Sequence, residues 1–342
     1  MAFCRAAAIL LSFSFAAGTE SSPVAQQGRL SAGALSQDFQ WLAVSGQMRG
    51  AVWNVQTGQR RVLIRPFRSA HFDDSGSLRG DIQDPESGAW RVFRFDPGSV
   101  SLDVSAETVE GRAVRAGSFL LLVNPATRGS SLRNDVVIAV RDVEGGRELW
   151  SKRFAGEAPR VWFTQDQKSI ALGWLATARA AATEVEGDAS LNKLFNVLRE
   201  RGGACLLEVL NPGTGQLNGR LLVETATGLT GITGLAAAGD RVVVGDSAGQ
   251  VRIYSLSGSR LVGRVTARGF GIDQAGKLMV AETEPGVITL YDLATVTERD
   301  RFVFSGQLAM AAFDAQGLKL FVLTADQTAY VLDLSAALAG SR

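Results

Sequence analysis

Val52-Trp-Asn-Val-Gln-Thr-Gly58 is a short apolar alternation that stops at an Asn and turns at a Gly. The ending returns, with variation, in Val92-Phe-Arg-Phe-Asp-Pro-Gly98, Val140-Arg-Asp-Val-Glu-Gly-Gly146, Leu207-Glu-Val-Leu-Asn-Pro-Gly213, Ile253-Tyr-Ser-Leu-Ser-Gly258, Leu290-Tyr-Asp-Leu-Ala-Thr295 and Val331-Leu-Asp-Leu-Ser335. Alternation puts every second side chain on one face of a strand, and the polar residue with its small neighbours reverses the chain. A second signature stands upstream of each ending. It is clearest in Leu35-Ser-Gln-Asp-Phe39, Phe72-Asp-Asp-Ser-Gly76, Phe163-Thr-Gln-Asp-Gln167, Ile272-Asp-Gln-Ala-Gly276 and Phe313-Asp-Ala-Gln-Gly317, and looser at Val114-Arg-Ala-Gly117 and Leu235-Ala-Ala-Ala-Gly239. Centring the endings on positions 54, 94, 142, 209, 255, 292 and 333 gives steps of 40, 48, 67, 46, 37 and 41 residues. Only the step from Asp142 to Val209 is badly stretched, which predicts an insertion in the fourth unit.

One such unit cannot bury its own apolar faces, so units of this length stack on one another. The expected fold is all-β: a seven-bladed β-propeller over residues 32–342, with a helical insertion at 176–203 in blade four. Trp41, Trp53, Trp90, Trp150, Trp162 and Trp174 all fall on expected strands of the first four blades, where packing between blades is their expected role. Only Ala336 to Arg342 follow the third strand of the last blade, so its fourth strand has to come from elsewhere. Val24-Ala-Gln-Gln-Gly-Arg-Leu30, within the N-terminal segment 19–31, is the expected closing strand.

The endings Val52 to Gly58, Leu290 to Thr295 and Val331 to Ser335 resemble those of WD-repeat and YVTN-type bacterial β-propellers over about residues 32 to 335. That resemblance implies the fold and names no activity. No unit carries the Gly-His pair of true WD repeats, because His71 is the sole histidine, so that family's buried His-Asp network does not transfer. Gly145-Gly-Arg-Glu-Leu-Trp150 also resembles the tryptophan-docking segment of quinoprotein propellers, but it occurs once, and no quinone cofactor is inferred from it.

Composition adds limits. The chain has 342 residues, 46% of them apolar, and a formal net charge of +1, which suits a large core and gives no basic profile for nucleic acid. Arg5 precedes the apolar run Ala6 to Ala17, and small residues end it before Thr19. Residues 1–18 therefore read as a secretory signal cleaved after Gly18, and the expected location is periplasmic or secreted. No later stretch is long and apolar enough for a membrane helix, so no transmembrane segment is expected after signal removal. Cys4 lies inside the leader, which leaves Cys205 alone, without an internal disulfide and expected as a small buried apolar residue.

Helical sequence interrupts blade four at Ala176 to Glu186 and Asp188 to Gly202. Leu191, Leu194, Phe195 and Leu198 recur at i, i+3, i+4 and i+7, Asp188 or Ser190 can cap the start, and Gly202-Gly203 can end it. The stripe is expected to pack on the propeller rim, with an exposed partner-binding stripe as the competing reading. Antiparallel meanders place this insertion on the same face as several loops rich in Arg and aromatics, the residues that binding hot spots favour. Arg49, Arg65, Phe67, Arg68, Arg128, Arg133, Arg160, Arg268 and Phe270 form the candidate binding face, mixed with acidic Asp84, Glu86, Asp246, Glu282, Glu284 and Asp326.

Known chemistries find little support. His71 has no recognisable nucleophile beside it, zinc ligands are lacking, and no Asp-x-Asp-x-Asp-Gly loop offers calcium ligands. Arg79-Gly-Asp81 matches an adhesion tripeptide by chance, on an expected strand. No catalytic residue, metal or cofactor is assigned. The leading expectation is an exported, non-catalytic propeller that binds or scaffolds a protein or glycan. The alternative is a lactonase-like or lyase-like enzyme that uses carboxylates and arginines near the channel, and a third reading is a spacer within a larger assembly.

Overall fold

The computed structural model describes residues 7–9, 32–46, 49–73, 75–108, 113–116, 118–125, 135–142, 146–154, 156–164, 168–201, 204–225, 228–326 and 328–339. Seven four-stranded antiparallel sheets follow one another along the chain, the arrangement of a seven-bladed β-propeller. An early strand β1 (Ala7–Ile9) precedes blade one, which holds β2 (Ala32–Leu35), β3 (Trp41–Ser45), β4 (Gly50–Asn54) and β5 (Arg60–Ile64). Blade two holds β6 (Phe67–Phe72), β7 (Leu78–Gln83), β8 (Trp90–Asp96) and β9 (Ser101–Thr108). Blade three holds β10 (Ala113–Ala116), β11 (Phe119–Pro125), β12 (Val136–Asp142) and β13 (Glu148–Phe154). Blade four holds β14 (Arg160–Phe163), β15 (Ile170–Leu175), β16 (Ala204–Leu210) and β17 (Leu217–Glu224), with helices α1 (Arg179–Val185) and α2 (Ala189–Arg201) between its second and third strands. Blade five holds β18 (Ile232–Ala238), β19 (Arg241–Asp246), β20 (Gln250–Ser255) and β21 (Arg260–Thr266). Blade six holds β22 (Phe270–Ile272), β23 (Leu278–Glu284), β24 (Val287–Asp292) and β25 (Thr297–Val303). Blade seven holds β26 (Leu308–Phe313), β27 (Lys319–Thr324) and β28 (Ala329–Asp333), followed by the short helix α3 (Ser335–Ala339).

The fourth position of blade seven is held by β1, with Ala7 opposite Val331 and Ile9 opposite Ala329. Val24 to Leu30, the segment expected there, lies outside the described residues. Two compact units divide the contacts: residues 1–111 with 303–342, and residues 112–302.

Both repeated signatures turn out to be backbone caps. At the end of the third strand a side-chain oxygen accepts amides of the following turn. Asn54 takes Thr57 at 2.9 Å, Asp96 takes Gly98 at 2.8 Å, Asn211 takes Gly213 at 2.9 Å, and Asp292 takes Ala294 at 2.9 Å. The anchors of blades two and four are thus Asp96 and Asn211, two residues beyond the positions 94 and 209 on which the endings were centred. After the first strand, Asp73 accepts Ser75 and Ser77, Asp273 accepts Lys277 and Leu278, and Asp314 accepts Leu318 and Lys319. Short polar side chains can do this because they mimic a backbone turn.

Within each unit, a blade that stands between two others is buried on both faces. Alternate residues of blade one go to different neighbours: Leu42, Ala51 and Trp53 pack with Phe321 and Leu323 of blade seven, whereas Trp41, Ala43 and Val52 pack with Phe67, Leu78 and Phe93 of blade two. Strands β4 and β16 are accordingly buried along their whole length.

Blades three to six interlock by matched volumes at one repeated position. The residue eight beyond each third-strand anchor sits on the outer strand and meets the turn of the next blade. In blade three it is Trp150, whose ring lies where a Cβ on Gly215 would come within 2.6 Å, and whose Nε1 donates to the Pro212 carbonyl at 2.7 Å. In blade four it is Gly219, which leaves room for Leu256, and in blade five Gly263, which leaves room for Val296. Gly215 and Val296 are equivalent turn residues, each four beyond its anchor and each with positive φ, 69° and 56°. Where the outer strand brings Trp, the turn must be Gly; where it brings Gly, the turn carries Val despite the backbone strain.

Gly215→Ala should cost about 2–4 kcal/mol, from the left-handed backbone and the collision with Trp150. In the Trp150→Ala background the same substitution should cost less, by about 1 kcal/mol or more, because the colliding ring is gone. Denaturant titration of the four proteins of this cycle checks the coupling, and strict additivity would show that the ring and the turn do not meet.

Candidate functional site

Ala176 still belongs to the sheet, since its amide bonds the Ala204 carbonyl at 2.9 Å and extends the pairing of β15 with β16. Helix α1 then starts beside Glu157, whose Oε2 accepts the Arg179 amide at 3.3 Å, and buries Ala180, Ala181 and Val185. Asp188 caps α2, its Oδ1 accepting the Leu191 amide at 2.9 Å. Gly202 and Gly203 lie outside the described residues.

Three of the four expected stripe residues enter the core. Leu191, Phe195 and Leu198 are buried in one cluster with Trp174, Phe154 and Leu206. Leu194 does not: it is 43% exposed, and Val197, three residues on, is equally exposed. The buried seam runs at i, i+4 and i+7, so Leu194 falls on its shoulder and forms with Val197 a small apolar pair facing solvent.

Beneath α1 lies a charge cluster. Glu208, in the middle of the apolar run Leu206-Leu207-Glu208-Val209-Leu210, has a fully buried side chain. Its Oε2 is 3.1 Å from Lys152 Nζ on β13, and its Oε1 is 2.8 Å from Arg220 Nε on β17. Glu184 on α1 reaches the same two cations, at 3.2 Å from Lys152 and 3.0 Å from Arg220. Burial pushes the Glu208 carboxyl above the ordinary range, and the adjoining Glu184 adds to this against the opposing pull of Lys152 and Arg220. For Glu184 burial also acts upward, but the two cations pull the other way and hold it low.

The candidate arginine face resolves into separate environments. Arg49, Arg65 and Arg268 are exposed on turns and connections. Arg68 lies 4.2 Å over the Trp90 ring and 3.4 Å from Asp81, while Arg160 lies 5.0 Å over Trp162 and donates to the Leu229 carbonyl at 2.6 Å. Phe67 is 1% exposed and stacks on Phe93, so it is a core residue and offers no binding surface. Phe270 is half-buried against the core of blades five and six. Arg128 and Arg133 lie outside the described residues. Most of the acidic residues assigned to the face hold turns together. Asp84 accepts the amides of Glu86 and Ser87, Asp246 those of Ala248 and Gln250, and Glu282 that of Gly286.

His71 is buried on β6, opposite Arg79. Arg79 pairs with Asp73 at 2.6 Å and Asp81 is 2% exposed, so the Arg-Gly-Asp tripeptide is not displayed as a loop. Among the described residues, no three His, Cys, Asp or Glu side chains are grouped to hold a metal, and no helix is long and apolar enough to cross a membrane. A cavity of about 160 Å³ is bordered by Lys168, Ser169, Asn218, Leu256 and Gln274.

No protein-family model matches this sequence, and no curated protein matches it either. The reactivity of the groups is therefore argued from their own surroundings. Cys205 is buried and its thiol is pushed up to about 11 by burial, so it should resist alkylation in the native protein at pH 8 and react on unfolding; mass spectrometry with and without denaturant reads this. Arg220→Met should destabilise the fold by about 3 kcal/mol, because Glu208 keeps its burial and loses a partner. Adding Glu208→Leu should recover most of that loss, and denaturation midpoints measure both.

Proposed function

We propose that the chain is a non-catalytic β-propeller of WD-like or YVTN-like type, exported by a bacterium, that binds a protein partner through the helical insertion of blade four. The observation that carries this reading is the pair Leu194 and Val197, both 43% exposed on a helix whose opposite seam is buried in the blade core. A helix fixed in this way presents apolar area without the entropy cost of ordering a free segment, which is what a binding platform needs. Exposed Arg160, at the start of blade four, and Arg268, between blades five and six, supply polar contacts of the kind that rim such surfaces. A glycan would use the same arginines and the flanking aromatics, but it has less use for an aliphatic pair.

Export rests on Arg5 and the apolar run up to Ala17, with cleavage after Gly18. That cleavage would remove β1 from blade seven.

Two measurements test the proposal. The N-terminus of the protein recovered from the envelope fraction should be Thr19. A partner captured by the intact chain should bind about 10–100-fold more weakly to Leu194→Glu/Val197→Glu, a surface change that leaves the buried seam untouched. Unchanged affinity would remove the helical insertion from the binding site.

A further inference from the structure

The outer strand of a blade is paired on one side only, and charged residues, Lys above all, commonly keep such an edge from pairing with another chain. Strands β5, β13, β17, β21 and β25 each carry at least one Arg or Lys. Strand β9, the edge of the blade-two sheet, carries none, and it exposes aliphatic side chains in a row. Leu102 is 42% exposed and Val104 48%, with Val100 in the turn before them at 47%. Leu102 stands opposite Phe95 and Val104 opposite Phe93, both buried between blades one and two, so the row continues that core outward.

Val100 adds a second sign. It has a left-handed φ of 58°, as Val296 has 56°, and both stand four residues beyond their anchors. Val296 fills the room left by Gly263, whereas Val100 stands half in solvent, so the strain of a β-branched residue in this conformation lacks the packing that accompanies it in blade six. The sequence around Leu102 also reads nearly alike in both directions, Ser99-Val-Ser-Leu-Asp-Val-Ser105.

We propose that a second copy of this chain covers the edge, in a symmetric dimer whose two β9 strands run antiparallel with the two-fold axis at Leu102. That axis sets Leu102 against Leu102 of the other copy and Val100 against Val104, so the aliphatic residues of both copies close into one row. Alternation puts Ser101 and Asp103 on the opposite face, where each Ser101 hydroxyl meets the carboxylate of the other copy's Asp103. Arg94, opposite Asp103 within its own sheet, balances that charge. Centring the pair on Asp103 would instead oppose two carboxylates. The four-stranded sheets of two copies then join into one continuous sheet. A foreign peptide would meet the same backbone, but a pattern that reads alike in both directions matches a second copy of itself. The dimer concerns blade two and stands whether or not the helical insertion binds a partner.

Sedimentation equilibrium and cross-linking test it. The wild-type protein at about 100 μM should have the mass of two chains. Leu102→Lys/Val104→Lys puts charge at exposed positions only and should weaken the dimer about 100-fold or more. Leu261→Lys, the same change on β21, should leave it intact. Under mild oxidation Leu102→Cys should link two chains far faster than the wild-type protein, whose Cys205 is buried, and far faster than Asp103→Cys, which does not meet itself across the axis. A monomer at this concentration overturns the proposal, whether or not the edge then binds a peptide. A dimer that survives the two lysines overturns it as well, and so does a Leu102→Cys protein that links no faster than Asp103→Cys, a result that does not depend on the folding of the lysine variant.

Discussion

A blade that stands between two others must be covered on both faces, and much of the structure depends on that constraint. A strand such as β4, buried along its whole length, has no solvent side, so its residues divide between two neighbours instead of between core and water. Leu42 and Ala43 are adjacent in sequence and serve different blade interfaces. A change of volume at either position is felt in one neighbour and not in the other. This is why the blades need a matched position, and in blades three to six it is met by exchanging bulk across the interface. Trp150 against Gly215 and Gly263 against Val296 fill the same kind of space from opposite sides.

The same constraint explains why the helical segment can be held so firmly. It leaves the sheet between β15 and β16, the second and third strands of blade four, and returns across the outer part of that blade. Leu191, Phe195 and Leu198 extend a core that already contains Trp174 and Phe154, whose rings lie 5.1 Å apart. Against this apolar docking stands the cost of Glu208, a carboxyl with no exposed surface in the middle of a buried strand. Desolvation of such a group is met here by two cations, which also bind the Glu184 carboxyl, an arrangement that contributes little net stability and fixes position instead. The apolar seam supplies most of the adhesion, and the charge cluster specifies where α1 sits.

The fold was legible because its signals are local. Asp273 and Asp314 repeat along the chain because each must accept amides four and five residues on, and such a requirement leaves a mark at fixed spacing. The helical pair was legible for the same reason, through Asp188 and the spacing of Leu191, Phe195 and Leu198. What failed was whatever depended on partners distant in sequence. Leu194 fits the helical period as well as its neighbours do, and only the direction of the blade beneath α2 leaves it outside. Phe67 follows two residues after Arg65 and reads as part of a loop, but it begins β6 and fills the space between blades one and two. The pairing of Ala7 to Ile9 with β28 was likewise not legible, because nothing local to that run signals a strand partner more than 300 residues on.

The charge cluster lies between these cases. One of its members was missed although a signal for it was present: a lone Glu in Leu206-Leu207-Glu208-Val209-Leu210 contradicts the burial its neighbours demand, and a buried acid needs partners. Its partners were not visible, because Lys152, Glu184 and Arg220 lie on three other elements and none is unusual where it stands. A solitary acid in an otherwise apolar third strand therefore predicts that cations arrive from elsewhere, without saying from where. In this chain they arrive from the two outer strands that flank the inserted helix. A single buried carboxyl thus ties blade three, blade four and, through the two cations it shares with Glu184, the insertion to one another, and removing it acts on all three at once.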